Sequence, residues 1–169
     1  MKHSYDTTAA IRAGQVRTGE NEHSDPLFLT SSFVFSSAAD AAEKFSGNAS
    51  GNVYSRFSNP TVRAFETRLA QLENATYCLA TASGMSAILL LALALLKSGD
   101  HVVVAKSVFG STVTLFSNVL SRFGITMDFV DITDLDQWAE VLTHQTRLLF
   151  IETPSNPWLK TVDIKAAKA

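Results

Sequence analysis

The stretch Leu79-Ala80-Thr81-Ala82-Ser83-Gly84-Met85-Ser86 reads as a short strand running into a strongly apolar helix, and its composition suits it to hold an anion. Small residues at Ala82, Ser83, Gly84 and Ser86 leave the first backbone N–H groups of that helix uncovered. Such a terminus carries partial positive charge and unpaired donors. A tight strand-to-helix turn asks for the same small residues, so the stretch alone leaves both readings open. Neither G-x-G-x-x-G nor G-x-x-x-x-G-K-[ST] occurs in the chain, which disfavours a dinucleotide or a nucleoside triphosphate.

Other side chains could complete such a site. Phe109, just before Gly110-Ser111, offers a ring that can stack on a flat heteroaromatic ligand, or else faces the core. Glu152 ends a very apolar segment, so it is either a buried carboxylate in need of a hydrogen-bond partner or a strand end in solvent. Asn156, between Pro154 and Pro157, is a donor on a constrained loop or an ordinary turn residue. Tyr54 and Arg56, two apart in extended chain, point to one side with a hydroxyl and a forked guanidinium suited to phosphate or carboxylate. Alone, an arginine in a loop is a solvated charge. His3, His23, His101 and His144 lack metal-ligand spacing and are given no chemistry.

The elements that must position these residues alternate by type. A short helix over Thr8 to Ala13 stops at Gly14, Leu27 to Phe35 is extended, and Ala38 to Phe45 is a short helix followed by a loop over 47–52. Asn59-Pro60 caps and starts a helix with Val62, Phe65, Leu69 and Leu72 at helical spacing, ended by Asn74. Strands are then expected at Tyr77–Thr81, His101–Lys106, Ile125–Val130 and Leu148–Glu152. Helices are expected at Met85–Lys97, Ser111–Phe123 and Asp134–Leu142. Asp163 caps a further helical stretch from Ile164 to Ala169 that has no C-terminal cap, so the chain reads as truncated. Four strands alternating with three helices imply an α/β fold with a parallel sheet covered on both faces. Continuous apolar runs at Val102-Val103-Val104 and Leu148-Leu149-Phe150-Ile151 agree. Ligands in such sheets sit off the carboxyl ends of the strands, where residues 82–85, 107–111, 131–133 and 152–157 converge. Residues 1–58 have no tidy core pattern and read as an arm, with 59–169 as the domain proper.

Composition narrows the classes. A chain of 169 residues with 46% hydrophobic and 18% charged residues supports a real core rather than disorder. The net charge of −2 without a basic block gives nucleic-acid binding little support. The longest oily run, Ala87 to Leu96, is well short of the roughly 20 residues of a membrane helix, and reads as a helix buried on nearly all sides. No secretory signal is visible in Met1 to Thr18, and the lone Cys78 excludes an internal disulfide. A soluble, cytoplasmic protein is expected.

Three separate motifs occur together, in order: Tyr54-Ser55-Arg56 with Asn59-Pro60-Thr61, Ala82-Ser83-Gly84-Met85-Ser86-Ala87-Ile88, and Glu152-Thr153-Pro154-Ser155-Asn156-Pro157. With them the chain resembles, over essentially its whole length, the pyridoxal-phosphate enzymes of cysteine and methionine metabolism. Ser107-Val108-Phe109-Gly110-Ser111-Thr112 looks most like the O-succinylhomoserine sulfhydrylases of that group. The resemblance implies an incomplete three-layer α/β/α large domain of fold type I with a mostly parallel sheet, preceded by an extended N-terminal arm. It implies pyridoxal 5′-phosphate as cofactor, with Ser83, Gly84 and Met85 at its phosphate and Phe109 stacked on its ring. Asn156 would bond the ring oxygen and Glu152 would support the Asn156 loop. Tyr54 and Arg56 would reach the cofactor phosphate of a neighbouring subunit, in an active dimer within a tetramer.

Most relatives carry Tyr where this chain has Phe109, and the missing phenol favours a sulfhydrylase over a lyase. The implied reaction joins an O-acylhomoserine, succinyl or acetyl, with sulfide to give homocysteine, cystathionine synthase and lyase being the alternatives. The Schiff-base lysine of the family, in a Ser-x-Thr-Lys setting, and the aspartate at the pyridine nitrogen have no counterpart in these 169 residues. The chain alone is therefore expected to be inactive, or to act only by associating with full-length subunits.

Overall fold

The computed structural model describes residues 7–168; His3 and Ala169, the last residue of the expected terminal helix, lie outside them. The chain divides into two compact units, Met1–Ala80 and Thr81–Ala169. The first unit extends past residue 58 to include the helix that begins at Pro60.

That first unit is built on three helices, α1 (Thr7–Arg12), α2 (Ala38–Phe45) and α3 (Pro60–Leu72). Asn59 starts α3 as the sequence predicts: its side-chain oxygen accepts the Thr61 N–H at 2.9 Å, with Pro60 in the first turn. The same amide does more than cap. Its Nδ2 donates to the Phe28 carbonyl and to the Ser55 hydroxyl, both at 3.0 Å, and Asn59 is buried. Thr61 accepts the Phe28 N–H at 2.9 Å and donates to the Pro26 carbonyl at 3.3 Å. Arg68 on the next turns bonds the Ala13 carbonyl and the Asp25 carboxylate. The start of α3 thus ties down the chain at 26–28, where the expected extended region Leu27 to Phe35 begins, and that region's ladder contact among the described residues is the antiparallel bridge Ser32–Tyr54. Asn74, at φ 53°, turns the chain out of α3.

The second unit is an incomplete α/β domain. β1 (His101–Ala105) lies in the middle of a parallel sheet of order β2-β1-β3, with β2 (Thr126–Val130) and β3 (Thr146–Phe150) on either side. All five residues of β1 are buried, as its unbroken apolar run requires. His101 fixes the start of the sheet: its ring meets Thr146 Oγ1 at 2.8 Å on β3 and Asp128 Oδ2 at 3.2 Å on β2. The two crossovers carry α5 (Gly110–Thr114) and α6 (Leu135–Val141), and α4 (Gly84–Leu95) precedes the sheet. A short α7 (Ile164–Lys168) follows it.

Three expectations are corrected. Tyr77–Thr81 is not a strand: a strand needs a laddered neighbour, and none of the described residues supplies one. Tyr77 and Leu79 are accordingly exposed, and the Ala80 N–H bonds the Glu66 side chain instead. The sheet therefore has three strands, not four, among the described residues. The predicted helix Ser111–Phe123 begins as α5 but widens into a π-helical turn at Leu115–Val119 and tightens into a 3₁₀ turn at Leu120–Phe123. Thr114 and Ser121 hydroxyls bonded to the carbonyls four residues back favour such distortion. Gly124, at φ 76°, ends it in a conformation that costs other residues a clash of Cβ with the backbone. Helix α4, finally, is covered on one face only. Met85, Ile88, Leu89, Ala92 and Leu96 pack on the core at helical spacing, while Leu90, Leu91, Leu93 and Leu95 stay 42–54% exposed.

Two predictions follow from these contacts. Asn59→Ala removes a cap and two donors at once and is expected to cost about 2 kcal/mol, with Asn59→Asp recovering the cap share, as measured by urea unfolding. Asp131 accepts from the Thr133 N–H at 2.9 Å and the Thr133 hydroxyl at 2.7 Å, and Lys160 lies at 3.5 Å. These bonds, the Thr133 N–H foremost, hold its carboxyl below the ordinary 3.8. A lowered folded-state pKa stabilises above the unfolded value and is lost as pH falls through the folded one. Thermal melting of wild type and Asp131→Asn should therefore differ near neutrality and converge as the pH drops below 3.8.

Candidate functional site

The start of α4 has the form of an anion cradle. Ser83, in extended backbone, caps the helix: its Oγ accepts the Ser86 N–H at 3.1 Å and meets the Ser86 hydroxyl at 2.9 Å. Thr81 Oγ1 donates to the Ser83 carbonyl at 2.8 Å. The N–H groups of Gly84 and Met85 precede any intrahelical acceptor, so they remain as donors for a ligand. A Cβ placed on Gly84 would meet nothing within 4 Å, which leaves room for close approach to this backbone. The cradle fits the phosphate of the cofactor implied by the sequence motifs.

The turn after β1 carries Phe109 at the entrance to α5. Its carbonyl accepts the Thr112 N–H at 2.8 Å, and the residue is 54% exposed, so Phe109 is not a core residue. The ring is free to stack. Its backbone, by contrast, is pinned: the Phe109 N–H donates to Glu152 Oε2 at 2.9 Å. The other carboxylate oxygen accepts the Thr112 hydroxyl at 3.0 Å. Thr112 is 1% exposed, and its oxygen also lies 4.0 Å from the Met85 sulfur. One chain of contacts, Met85–Thr112–Glu152–Phe109, therefore joins two of the predicted site residues through two helices and the end of β3.

This corrects the expected role of Glu152. It does not hold the Asn156 loop but anchors the segment beginning at Phe109, because the turn after β1 presents an N–H and a hydroxyl three residues apart to the same carboxylate. The loop is held by Ser155, which is fully buried. Ser155 N–H donates to the Lys160 carbonyl at 2.9 Å, its Oγ accepts the Lys160 N–H at 3.0 Å, and its carbonyl accepts the Leu159 N–H at 2.7 Å. The Thr153-Pro154 and Asn156-Pro157 bonds are cis. Asn156 is left exposed at the loop tip.

In the first unit Tyr54 and Arg56 do share a side, though not by extended geometry. The chain turns here, with the Phe57 and Ser58 N–H groups both donating to the Tyr54 carbonyl. The Arg56 guanidinium then lies 5.6 Å from the Tyr54 ring centroid and 5.1 Å from that of Phe57. Ser55, between them, bonds the Thr30 carbonyl and Asn59, which fixes the turn. Sequence reasoning missed Thr112 and Ser155. Both lie inside the quoted motifs, and the signal available for each was a small hydroxyl residue amid apolar or constrained neighbours.

Comparison with known proteins identifies the family. The chain is 56% identical to an O-succinylhomoserine sulfhydrylase of Pseudomonas aeruginosa over 94% of its length and 40% of that protein. It is 40% identical to an L-methionine gamma-lyase of Fusobacterium nucleatum over 94% of its length and 40% of that protein. The chain thus spans about 40% of the length of the curated relatives it matches. Among solved structures, a putative O-acetylhomoserine (thiol)-lyase of Campylobacter jejuni that holds N′-pyridoxyl-lysine-5′-monophosphate superposes with TM-score 0.84 and 34% identity, covering 95% of this chain and 41% of that one. The sequence model of the Cys/Met metabolism PLP-dependent enzymes matches residues 7–169, and the chain belongs to that family.

Proposed function

We propose that this chain is the cofactor-cradling portion of a pyridoxal-phosphate-dependent sulfhydrylase that makes homocysteine from O-succinylhomoserine, or its acetyl counterpart, and sulfide. The observation that carries this reading is the 56% identity to the Pseudomonas aeruginosa sulfhydrylase over 94% of the chain. Phe109 in place of a tyrosine supports it over the lyase reading, to which the methionine gamma-lyase relatives belong. When bound, pyridoxal phosphate supplies an electron sink for carbanion charge.

The residues of this chain bind and orient. The Gly84 and Met85 N–H groups, with Ser83 shaping the cap, take the phosphate at the helix terminus. The exposed face of Phe109 stacks on the pyridine ring, and Glu152 holds the Phe109 backbone so that the ring has one position. The Asn156 amide donates to the ring oxygen from a loop braced by Ser155. Arg56, with Tyr54 beside it, brings a planar cation to the phosphate of a neighbouring subunit, which makes the working unit a dimer, within a tetramer. Residues 1–58 serve as the inter-subunit arm, and the whole works in the cytoplasm.

A full-length protein carrying this chain should form homocysteine from O-succinylhomoserine and sulfide, followed by thiol-specific chromatography. Release of 2-oxobutyrate without sulfide incorporation would assign it to the lyases instead. The 169-residue chain alone should give no homocysteine. Glu152→Ala strands two donors and should cost about 2–3 kcal/mol in urea unfolding of the chain, with Glu152→Gln losing markedly less because it retains an acceptor.

A further inference from the structure

Beyond the cradle, the carboxyl ends of β1 and β2 border a cavity of about 350 Å³ lined by Lys106, Ser107, Asp131, Ile132, Trp158 and Lys160. Its polar groups are unevenly engaged. Asp131 is committed, with Thr133 on one oxygen and Lys160 3.5 Å from the other. Lys160 is correspondingly neutralised. Lys106 has its backbone N–H on the Val130 carbonyl, but its ammonium has no ion-pair partner among the described residues. Two ammonium groups against one carboxylate leave the cavity with an excess positive charge.

The neighbouring hydroxyl is more telling. Ser107 Oγ is shielded from solvent and has no hydrogen-bond partner, which is an unfavourable state for a buried polar atom unless a ligand completes it. The chain's two tryptophans differ in the same sense. Trp138 is buried with its indole N–H on the Asp131 carbonyl at 2.7 Å, whereas Trp158 is 76% exposed on the cavity wall. One is engaged in the structure and the other is available.

We infer that this cavity is a binding site for a small organic carboxylate, held by the Lys106 ammonium and the Ser107 hydroxyl with its hydrocarbon body against the Trp158 indole. Excess positive charge selects an anion, the orphaned hydroxyl supplies a donor to it once it rotates out of its shielded position, and the indole offers an apolar face that bare phosphate would leave unused. The volume is at the small end of ligand pockets, which suits an acid of a few carbons. Trp158 and Lys160 also belong to the loop that Ser155 braces and that carries Asn156, so an occupant touches the wall of that loop directly. The inference does not depend on the reaction proposed above.

Succinate is the probe, titrated into the 169-residue chain by calorimetry and by Trp158 emission, with inorganic phosphate and neutral succinamide as parallel arms. Saturable succinate binding is expected, absent with succinamide and weaker with phosphate. Lys106→Met and Ser107→Ala should each weaken it roughly tenfold while Trp138 emission, the check on folding, is unchanged. Trp158→Phe should abolish the emission change but leave calorimetric binding weakened and measurable. The proposal is overturned if succinate does not saturate up to about 50 mM, well above a millimolar Kd. It is equally overturned if Lys106→Met binds as wild type does, or if phosphate binds as tightly as succinate.

Discussion

The Glu152 carboxylate accepts a backbone N–H from Phe109 and a hydroxyl from Thr112, and the candidate site depends on that pair of bonds. A charged acceptor with two donors in a half-buried position makes stronger bonds than neutral partners do, and losing it would leave both donors unmatched. The consequence is mechanical. β3 is joined to the turn that follows β1, the Phe109 backbone is immobilised, and its ring is left facing outward. Thr112 extends the same linkage to Met85 in the first turn of α4. The start of α4, the turn after β1 and the segment after β3 are in this way held as one piece.

The parallel sheet makes that linkage possible. Parallel strands deliver their carboxyl ends to one edge, so the turn after β1 and the segment after β3, neighbours in the sheet, can share a carboxylate. β1 is buried from end to end, and Phe116, Leu120, Val130, Ile132 and Trp138 pack around it. His101 secures the opposite end by touching both neighbouring strands, a structural duty for a histidine given no chemistry on spacing alone. Helix α4 shows what this core does not cover: it is apolar all round, yet only its Met85–Ile88–Leu89–Ala92 face finds partners among the described residues.

What the sequence discloses follows the range of the interaction. Local chemistry was legible: the caps at Asn59 and Asp163, the helix end at Asn74, and the apolar run of β1 all depend on residues within a few positions. Long-range pairing was not. Residues 77–81 have strand composition but no laddered neighbour among the described residues, and composition cannot report a partner. The two-residue spacing of Tyr54 and Arg56 suggested a shared side by alternation, whereas the structure reaches it through a turn and a cation over two rings. Glu152 reads from the sequence as either a buried carboxylate in need of a partner or a strand end in solvent, and the donors that decide between them lie some 40 residues earlier in the chain.

The central claim is that Glu152 fixes Phe109 by its backbone, and amide hydrogen exchange of Phe109 tests it most directly. In the wild-type chain the Phe109 N–H should exchange slowly although the residue is half exposed. In Glu152→Ala it should exchange at least about tenfold faster, with the amides of β1 unchanged. Equal Phe109 rates in the two proteins, or a uniform acceleration of β1 and Phe109 together, would contradict the account.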